Sequence, residues 1–345
     1  MRTRGAAAAL ALALGAAGCG GASGADDADG RFEAPGWAVA LTMRGEARLR
    51  LIGVVDLGAP AAGFGGFSGL EVSADGARLV ALSDRGMWLE AGIARAGGPD
   101  RPATGLTGAR LLPLLAPGPE GAARRPAPVW RDAEGLAIAD PDLSPPWFAS
   151  FEQVHRVDRF AGPAVAAEPF AAFDAPLAGV APPEGNKGFE ALAVAPDGRL
   201  LAIREAWDAA EEEARWIAPD GAQSRATQSR AAQSRATLPR DADAPAVGAD
   251  FAPDGALWLL RRRFEPLGGF AFSVWRHAPD GEGFAAGERM LDLPFGDAVD
   301  NAEGLAVWFT PDGRTRILLI SDDNFLPLQR TLLYEFELEE PRPGG

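Results

Sequence analysis

The 345-residue sequence is poor in the side chains on which many metal and nucleophilic sites depend. It contains one cysteine, Cys19, and two histidines, His155 and His277. One cysteine excludes a disulfide framework and a thiolate metal site, and two histidines nearly exclude a histidine-rich transition-metal site. The sequence also lacks a Gly-x-Ser-x-Gly elbow, a Walker loop and a dinucleotide-binding glycine fingerprint. If the protein is a hydrolase, we expect a metal-activated water to be the attacking group.

Positive charge is also scarce, because 33 lysine and arginine residues face 48 aspartate and glutamate residues, for a net charge of −15. This balance argues against nucleic acid and against a polybasic membrane surface as partners, since both require a positive face. It is compatible with a bound divalent cation, although solubility alone would explain it too.

The N-terminus predicts export. Two arginines precede an apolar run at Ala6–Ala17, which is too short to span a bilayer, so residues 1–18 are interpreted as a signal peptide. Cys19 follows this segment as in a bacterial lipobox, although Ala16 stands where that motif prefers leucine. We therefore predict lipidation of Cys19, a flexible tether at 19–33, and a location in the periplasm or cell envelope. The alternative is a plain secreted product.

One supersecondary unit occurs five times. In each copy an alternating apolar run leads to an Asp-Gly or Pro-Asp turn, and a second β-type run ends in a charged residue, which predicts a β-hairpin. The copies recur about 55–65 residues apart, which is the signature of a repeat architecture. They are Ser68–Arg85, Ala133–Glu152, Phe189–Glu205, Ala249–Arg263 and Asn301–Phe325.

The repeat predicts an all-β fold, a β-propeller of five or six blades. About 35–45 residues separate successive hairpins, which leaves room for two more strands and makes each unit about four antiparallel strands long. Runs such as Val154–Phe160 and Phe272–His277 fit those strands. Strand patterns at Ala47–Leu57 and Thr331–Leu338 are placed to close the ring by pairing. We expect a single domain over residues 34–340, with both histidines on strands at blade faces.

The segment Asp208–Pro245 interrupts the repeat. It contains an acidic, alanine-rich run and then a tandem pentapeptide at Gln223–Thr237. Because so little of it is apolar, we predict a low-complexity insertion at about 208–245 that forms a mobile surface loop. Its arginines also suggest a basic recognition arm, but slippage of the repeat is the favoured explanation.

Acidic residues recur at both ends of the repeated hairpins. Before the first strand stand Glu134, Glu190 and Glu303, and after the second strand stand Asp84, Glu152, Glu205, Asp322 and Asp323, with Asn324 beside them. Repeat symmetry brings equivalent positions together around the propeller axis, where like charges repel unless a hard cation, raised pKa values or basic partners compensate. We predict that this set binds metal, with Ca²⁺ as the natural candidate because it prefers oxygen ligands. The simpler alternative is a set of inter-blade salt bridges and turn caps.

Basic residues lie among these acids. Arg85, Lys187 and Arg262 are predicted to clamp the oxygens of an anionic ester, while Glu134, Glu190 and Glu303 hold the cation that polarises it. These six residues form the predicted catalytic set.

The same residues resemble the family known as esterase-like activity of phytase, a phytase-like β-propeller domain. The resemblance covers Phe67 to Leu338 and rests on motifs that agree in order and spacing. They are FSGLE at 67–71, SDRG at 83–86, DAEGL at 132–136, NKGFEAL at 186–192, LRRRF at 260–264, DNAEGL at 300–305 and SDDNF at 321–325. Two mild departures are Ala191 in place of the usual glycine and Asp323 in place of the usual asparagine.

The resemblance implies an exported bacterial propeller whose acidic centre falls here on Asp84, Glu134, Glu190, Glu303 and Asp322. The family name suggests hydrolysis of phosphate or carboxylic esters, and the similar alkaline propeller phytases bind several Ca²⁺ ions through channel carboxylates.

The leading hypothesis is therefore a Ca²⁺-dependent hydrolase of phosphate esters that acts on a small, anionic substrate. We expect Glu303→Ala to remove metal binding and activity together. A non-catalytic envelope binding or scaffold propeller with a structural metal is the first alternative, and a lactonase or carboxylesterase propeller is the second. The sequence leaves the oligomeric state open.

Overall fold

The computed structural model describes residues 30–43, 47–98, 100–117, 123–124, 127–173, 187–205, 212–219, 233–239, 244–265, 269–296 and 298–339. The predicted signal peptide and Cys19 lie outside these residues. The end of the predicted tether does not, because Phe32 and Glu33 begin the first strand.

The described residues are almost entirely strands and turns. In chain order the first strands are β1 (Phe32–Pro35), β2 (Trp37–Ala38), β3 (Leu49–Asp56), β4 (Phe67–Val72), β5 (Arg78–Ser83), β6 (Met87–Arg95), β7 (Ala103–Pro113), β8 (Ala116–Pro117) and β9 (Ala123–Arg124). A single 3-10 turn at Pro128–Trp130 precedes β10 (Ala133–Ile138), β11 (Trp147–Phe151), β12 (Arg156–Phe160), β13 (Glu168–Ala172), β14 (Phe189–Val194), β15 (Leu200–Arg204), β16 (Ala214–Ile217) and β17 (Gln233–Ala236). The remaining strands are β18 (Ala246–Phe251), β19 (Leu257–Glu265), β20 (Gly269–His277), β21 (Pro279–Asp280), β22 (Gly283–Phe284), β23 (Glu288–Leu293), β24 (Ala302–Phe309), β25 (Thr315–Ser321) and β26 (Leu332–Leu338).

These strands form five antiparallel sheets, which are the five blades of a β-propeller. The strand orders are β1-β7-β6-β5-β4, β10-β11-β12-β13, β14-β15-β16-β17, β18-β19-β20-β23 and β2-β3-β26-β25-β24, and two short hairpins lie outside them. The first strand of each predicted hairpin is the innermost strand of its blade. The inner strands β4, β10, β14, β18 and β24 contact one another in sequence around a closed ring. The predicted propeller is confirmed, and the number of blades is five.

The ring is closed by strands from the two ends of the described chain. β3 pairs with β26 along its whole length, from Leu49 opposite Leu338 to Asp56 opposite Leu332. This confirms the predicted pairing, and β1 adds a further strand to the outer edge of the first blade. Because the fifth blade needs strands from both termini, the ring can close only when the chain ends are brought together.

Hydrophobic side chains fill the five interfaces between neighbouring blades, one cluster at each interface. At the interface of blades 1 and 2, the buried ring of Trp88 lies edge-on to Trp147 at 5.2 Å and to Phe160 at 5.0 Å. Successive residues of a strand point to opposite faces of its blade, and each face packs against a neighbouring blade, so both faces of the blade are buried. Hydrophobic contact between blades therefore holds the ring rigid around its axis.

The expectation of a mobile loop over 208–245 is wrong for the parts of that segment that the structure describes. Ala214–Ile217 and Gln233–Ala236 are β16 and β17, the outer strands of the third blade. All four residues of β16 are buried, and the indole of Trp216 packs near Phe251 and Phe284 of the next blade. A polar repeat can form the edge strand β17 because pairing with β16 requires backbone hydrogen bonds rather than apolar side chains.

No helix among the described residues is long and apolar enough to cross a membrane.

Candidate metal centre

Each inner strand carries a β-bulge near its start. In the third blade Phe189 lies opposite Arg204 and Ala191 opposite Ile203, which leaves Glu190 as the extra residue. Equivalent register shifts occur in the other four blades. The bulge positions around the ring are Ser68, Glu134, Glu190, Val247 and Glu303. A bulge re-aims the side chain at its extra residue, so three of the five blades present a glutamate from the same point of the ring.

A second set of equivalent positions directly follows the second strand in blades 1, 2, 3 and 5 and lies within the second strand, β19, in blade 4. There the backbone N–H of one residue donates to the carbonyl of the residue just before the bulged segment. The five bonds are Asp84 to Gly66 at 2.8 Å, Glu152 to Asp132 at 2.9 Å, Glu205 to Gly188 at 2.9 Å, Arg262 to Pro245 at 3.2 Å and Asp322 to Asn301 at 2.8 Å. Four acids and one arginine therefore occupy one position of the repeat, next to the three bulge glutamates.

The glycine of the Glu-Gly-Leu motifs lets neighbouring inner strands approach. A β-carbon at Gly135 would lie 2.5 Å from the carbonyl oxygen of Glu190, so no larger residue fits without a shift of the backbone. Beyond the glycines the axis narrows to a cavity of ≈ 10 Å³, which has room for about one water molecule. Its apolar lining includes Leu70, Leu136, Leu192 and Leu305. The carboxylates are therefore gathered at one mouth of a nearly closed axis.

Blades 2 and 3 bring carboxylates close enough together to share a cation. One group consists of Asp132, Glu134 and Glu152, and the other consists of Glu152, Glu190 and Glu205. In each group one oxygen from every residue lies within 4.8 Å of the others. Several carboxylate oxygens close together suit a hard divalent cation. Ca²⁺ is such a cation, and it takes 6–8 oxygen ligands. Glu152 belongs to both groups and is the residue on which the candidate site is centred.

Burial and mutual repulsion raise the pKa values of these carboxyl groups. Burial, followed by the charges of Glu190, Glu303, Glu152 and Asp132, raises the pKa of Glu134 well above its usual range. Burial raises the pKa of Glu152 to about 7. Burial also raises the pKa of Glu190, although Arg262 opposes this shift, and the neighbouring Glu205 and Glu303 add to it. A nearby positive charge favours the ionised form of such carboxyl groups, and a bound cation would supply that charge.

Arg262 is the internal cation of the site. In the fourth blade it takes the position that an acid occupies elsewhere, and its guanidinium contacts Glu303 directly, Glu205 at 3.2 Å and Glu190 at 3.9 Å. It also donates to the side-chain oxygen of Asn301 at 2.9 Å. Arg262 was predicted to clamp substrate oxygens, but its guanidinium is bound by the protein's own carboxylates. Its charge is shared between Glu303 of the fifth blade and Glu190 and Glu205 of the third blade.

The predicted ligands of blades 5 and 1 are held by the protein in other ways. Glu303 accepts from the side-chain amide of Asn301 at 2.8 Å, and Asp322 accepts from the backbone N–H of Asn324 at 2.6 Å. Burial and the charge of Glu303 raise the pKa of Asp322 to about 8. Asp323 accepts from the backbone of Gly66 and Phe325 and from the hydroxyl of Thr331. Neither Asp322 nor Asp323 belongs to the two three-carboxylate groups found among the described residues, and Asn324 is exposed.

Asp84 lies against the paired glycines of the Phe-Gly-Gly-Phe segment. A β-carbon at Gly66, which has φ +65, would lie 2.3 Å from an oxygen of Asp84, so only glycine fits at this position. Burial raises the pKa of Asp84 to about 6. Arg85 lies 3.8 Å from Asp84 and stacks on the ring of Phe325 at 4.7 Å. Lys187 is exposed on the third blade, so the three predicted basic residues do not converge on one point.

His155 lies at the site and not on a strand, so the expectation for this residue is wrong, whereas His277 is a buried residue of β20 as expected. β11 ends at Phe151 and β12 begins at Arg156, which places His155 in the turn that follows Glu152. Its ring nitrogens are buried without a hydrogen-bond partner in the part of the chain that the structure describes. Burial and the nearby Arg204 lower the pKa of the His155 imidazole.

Sequence reasoning also missed Asp132. A signal was available, because Asp132 stands two residues before Glu134 in DAEGL just as Asn301 stands two residues before Glu303 in NAEGL. Alignment of the repeats therefore identifies a third set of equivalent positions, two residues before each bulge. In blades 2 and 5 these positions carry the oxygen-bearing side chains of Asp132 and Asn301. The contacts of Arg262 with the protein's own carboxylates were not predicted, because three consecutive arginines lie in β19 and only the pairing register shows which of them is equivalent to the acids of the other blades.

A family model matches the part of the chain that contains this site. The family model described as "Phytase-like: Esterase-like activity of phytase" matches residues 62–325. That span contains all five inner strands and every residue of the two carboxylate groups. A search of the curated proteins found no match.

Solved structures that resemble the chain are distant from it. A Thermus thermophilus protein described as a glucose dehydrogenase has 13% sequence identity and a TM-score of 0.40, with 83% of this chain and 99% of that chain covered. A gluconolactonase from Xanthomonas campestris has 13% identity and a TM-score of 0.42, with 89% and 99% covered. At this distance the similarities carry no argument about activity.

Proposed function

The chain belongs to the phytase-like family, and from this premise we propose that it is a divalent-metal-dependent hydrolase of phosphate esters, with Ca²⁺ as its metal. The observation that carries the proposal is the convergence of Asp132, Glu134, Glu152, Glu190 and Glu205 at one mouth of the propeller. Solvation alone would not gather five acids from two blades into one cluster in which burial raises the pKa values of Asp132, Glu134, Glu152 and Glu190.

The residues that would hold the cation are the two groups that share Glu152. A divalent cation supplies Lewis acidity, because it draws electron density from an ester oxygen and lowers the pKa of water. The rigid bulges fix Glu134 and Glu190 in place before any ligand arrives, so that little reorganisation is needed.

Arg262 has a positioning role in this proposal. It holds Glu190, Glu205 and Glu303 through its guanidinium, and it adds a fixed positive charge beside the carboxylates that would bind the cation. Two neighbouring positive charges suit the oxygens of a phosphate ester, on which negative charge accumulates as the ester bond breaks.

The test is hydrolysis of an aryl phosphomonoester, an aryl phosphodiester and an aryl carboxylic ester, each with added Ca²⁺ and with chelator. We expect Ca²⁺-dependent turnover of a phosphate ester by the wild type and a loss of at least about 100-fold in Glu134→Gln and Glu190→Gln. Glu168→Gln is the matched control, because that carboxylate is exposed on an outer strand of the second blade.

The outcomes separate the competing functions. Ca²⁺-dependent turnover of the carboxylic ester alone would replace the phosphoesterase by a carboxylesterase or lactonase. Bound Ca²⁺ without turnover of any ester would contradict hydrolysis and favour a binding propeller with a structural metal.

We also propose that the protein is exported and attached to a membrane only through a lipid on Cys19. The support is the sequence of residues 1–19, with an apolar run after two arginines and a cysteine where cleavage is expected. Fractionation of cells that express the full chain tests this proposal. The wild type is expected in the membrane fraction and Cys19→Ser in the soluble one, and an uncleaved or soluble wild type would contradict lipidation.

A further inference from the structure

Exposed apolar side chains are concentrated around the mouth that carries the carboxylates. Six large ones, which we call the apolar rim, are Trp130, Phe264, Phe295, Phe325, Leu326 and Leu328. Trp130 stands two residues before Asp132, Phe264 two residues after Arg262, and Phe325 three residues after Asp322. The exposed fractions reach 55% at Phe264 and 95% at Leu328. Exposed apolar side chains gathered beside a site are typical of a binding surface.

The fourth blade contributes its part of the rim through the hairpin of β19 and β20. Phe264 is near the end of β19, and its ring lies 5.2 Å from that of Phe270 on β20. A β-carbon at Gly269 would lie 2.9 Å from the ring of Phe295, so that ring packs against the base of the same hairpin. Since β19 continues past Arg262 to Phe264, this aromatic cluster stands just outside the carboxylates.

The fifth blade holds Phe325 directly against the site. Asn324 and Phe325 both adopt left-handed backbone conformations, with φ 47 and φ 53, which non-glycine residues rarely adopt in succession. The strained turn is held by Asp322, which accepts from the N–H of Asn324, and by Asp323, which accepts from the N–H of Phe325. Strain retained beside a functional site indicates that the position of the side chain matters.

Phe325 joins the rim to one carboxylate of the mouth, Asp84. A β-carbon at Gly66 would lie 2.6 Å from the ring of Phe325 and 2.3 Å from an oxygen of Asp84. The guanidinium of Arg85 covers the ring at 4.7 Å. A ligand bound at the carboxylates would therefore extend onto an aromatic surface.

The charge of the mouth disfavours a polyanionic ligand. Eight described carboxylates converge there, namely Asp84, Asp132, Glu134, Glu152, Glu190, Glu205, Glu303 and Asp322, and Arg262 already contacts three of them. One divalent cation would leave the site acidic, so each further negative charge on a ligand adds repulsion. Binding energy has to come from another source, and the adjacent apolar surface provides it.

We propose that the apolar rim binds an alkyl or aryl group of the substrate, so that the ester cleaved at this mouth is amphiphilic, with one ester centre and an apolar moiety. This inference rests on the proposed hydrolase function. Hydrolysis adds one water across the ester bond and releases an acid and an alcohol, and the rim would hold the apolar part of the alcohol.

The experiment compares ethyl phosphate with n-octyl phosphate, below its micelle concentration, in the presence of Ca²⁺. The two alcohols have nearly equal pKa values, so a difference in kcat/KM reports binding of the chain rather than leaving-group reactivity. We expect n-octyl phosphate to be preferred by about tenfold or more, the effect of burying two methylene groups. Inositol hexakisphosphate is expected to be a poorer substrate than either.

Variants locate the effect on the rim. Phe325→Ala and Phe264→Ala are expected to lower kcat/KM for n-octyl phosphate about tenfold each and to leave ethyl phosphate within twofold. Both side chains are exposed, so the melting temperature is expected to stay near that of the wild type. The matched control is Val165→Ala, because Val165 is 46% exposed in the turn between β12 and β13, at the opposite end of the blade.

A binding measurement separates failure of this inference from failure of the hydrolase proposal. Calorimetric titration with n-octylphosphonate and ethylphosphonate needs no turnover, and the octyl compound is expected to bind about tenfold more tightly unless Phe325 is removed. Equal binding of the two phosphonates, or preferential turnover of inositol hexakisphosphate, would overturn the inference even if the protein is a hydrolase. The inference would also be overturned if rim variants changed only the sedimentation of the protein, which would indicate that the rim binds a second copy of the chain. A change only in binding to phosphatidylcholine vesicles would indicate that the rim binds a membrane.

Discussion

Replacement of Arg262 by methionine tests the electrostatic description of the site. The side chain of Arg262 is 16% exposed and faces Glu190, Glu205 and Glu303, whose side chains are 11%, 9% and 10% exposed. Removal of one partner from a buried ion pair costs about 3–5 kcal/mol, because the charge that remains is buried and unpaired. We therefore expect Arg262→Met to lower the free energy of unfolding by about this amount when no divalent cation is present.

The neighbouring arginine provides a control of the same type. Arg263 pairs with Asp292 at 2.7 Å, but both side chains are about one third exposed, and pairs of that kind contribute about 0–1 kcal/mol. Denaturant unfolding of the wild type, Arg262→Met and Arg263→Met, each with chelator, measures the two effects on equal terms.

Added Ca²⁺ sharpens the test. A cation that binds the carboxylates at 100 times its Kd stabilises the folded protein by about 2.7 kcal/mol. In Arg262→Met the carboxylates are less neutralised, so Ca²⁺ is expected to bind more tightly and to stabilise the variant more than the wild type. The reasoning would be refuted if both arginine variants lost the same free energy, or if Ca²⁺ stabilised the variant no more than the wild type.

Three further predictions follow from the same structure. Burial raises the pKa of Glu152 to about 7, so protonation of Glu152 stabilises the metal-free protein at low pH, and this stabilisation is lost as the pH rises through 7. Calorimetry in buffers of different ionisation enthalpy is expected to show that Ca²⁺ binding releases protons at pH 6. The affinity for Ca²⁺ at pH 6 is expected to be about tenfold lower per protonated carboxyl than at pH 8.5. Asp132→Asn, which removes a carboxylate that belongs to one group only, is expected to weaken Ca²⁺ binding in the same titration without abolishing it, and unchanged affinity would count against that group. Trp88→Ala removes a fully buried indole between blades 1 and 2 and is expected to lower the free energy of unfolding by about 3–5 kcal/mol with Ca²⁺ affinity retained, whereas a loss below about 1 kcal/mol would contradict tight packing at that interface.

The ring could be predicted from the sequence because the hairpin signal recurs with its turn chemistry intact. Period-two patterns and Asp-Gly turns depend on local backbone preferences, and their repetition determines the architecture. The outer strands β16 and β17 could not be predicted in the same way. Gln233–Ala236 is part of a polar tandem repeat, and it becomes a strand only because the edge of β16 offers backbone partners.

The site could be predicted in part. Glu134, Glu152, Glu190 and Glu205 were identified because repeat symmetry brings equivalent residues together, and the structure places all four in the two carboxylate groups. The bulges that aim the glutamates depend on strand register, which residue patterns do not reveal. His155 was missed because its run alternates like a strand, whereas the chain turns there after Glu152.

The most direct test of the central claim is a Ca²⁺ titration of the metal-free protein by calorimetry, with Glu152→Gln and Glu168→Gln beside the wild type. Glu152 belongs to both carboxylate groups, whereas the side chain of Glu168 is 74% exposed on an outer strand. We expect Ca²⁺ binding by the wild type and by Glu168→Gln, and a loss of at least about 100-fold in affinity in Glu152→Gln, since one change removes a ligand from both groups. Equal affinity in all three proteins, or no binding by the wild type, would contradict the metal centre at the mouth of the propeller.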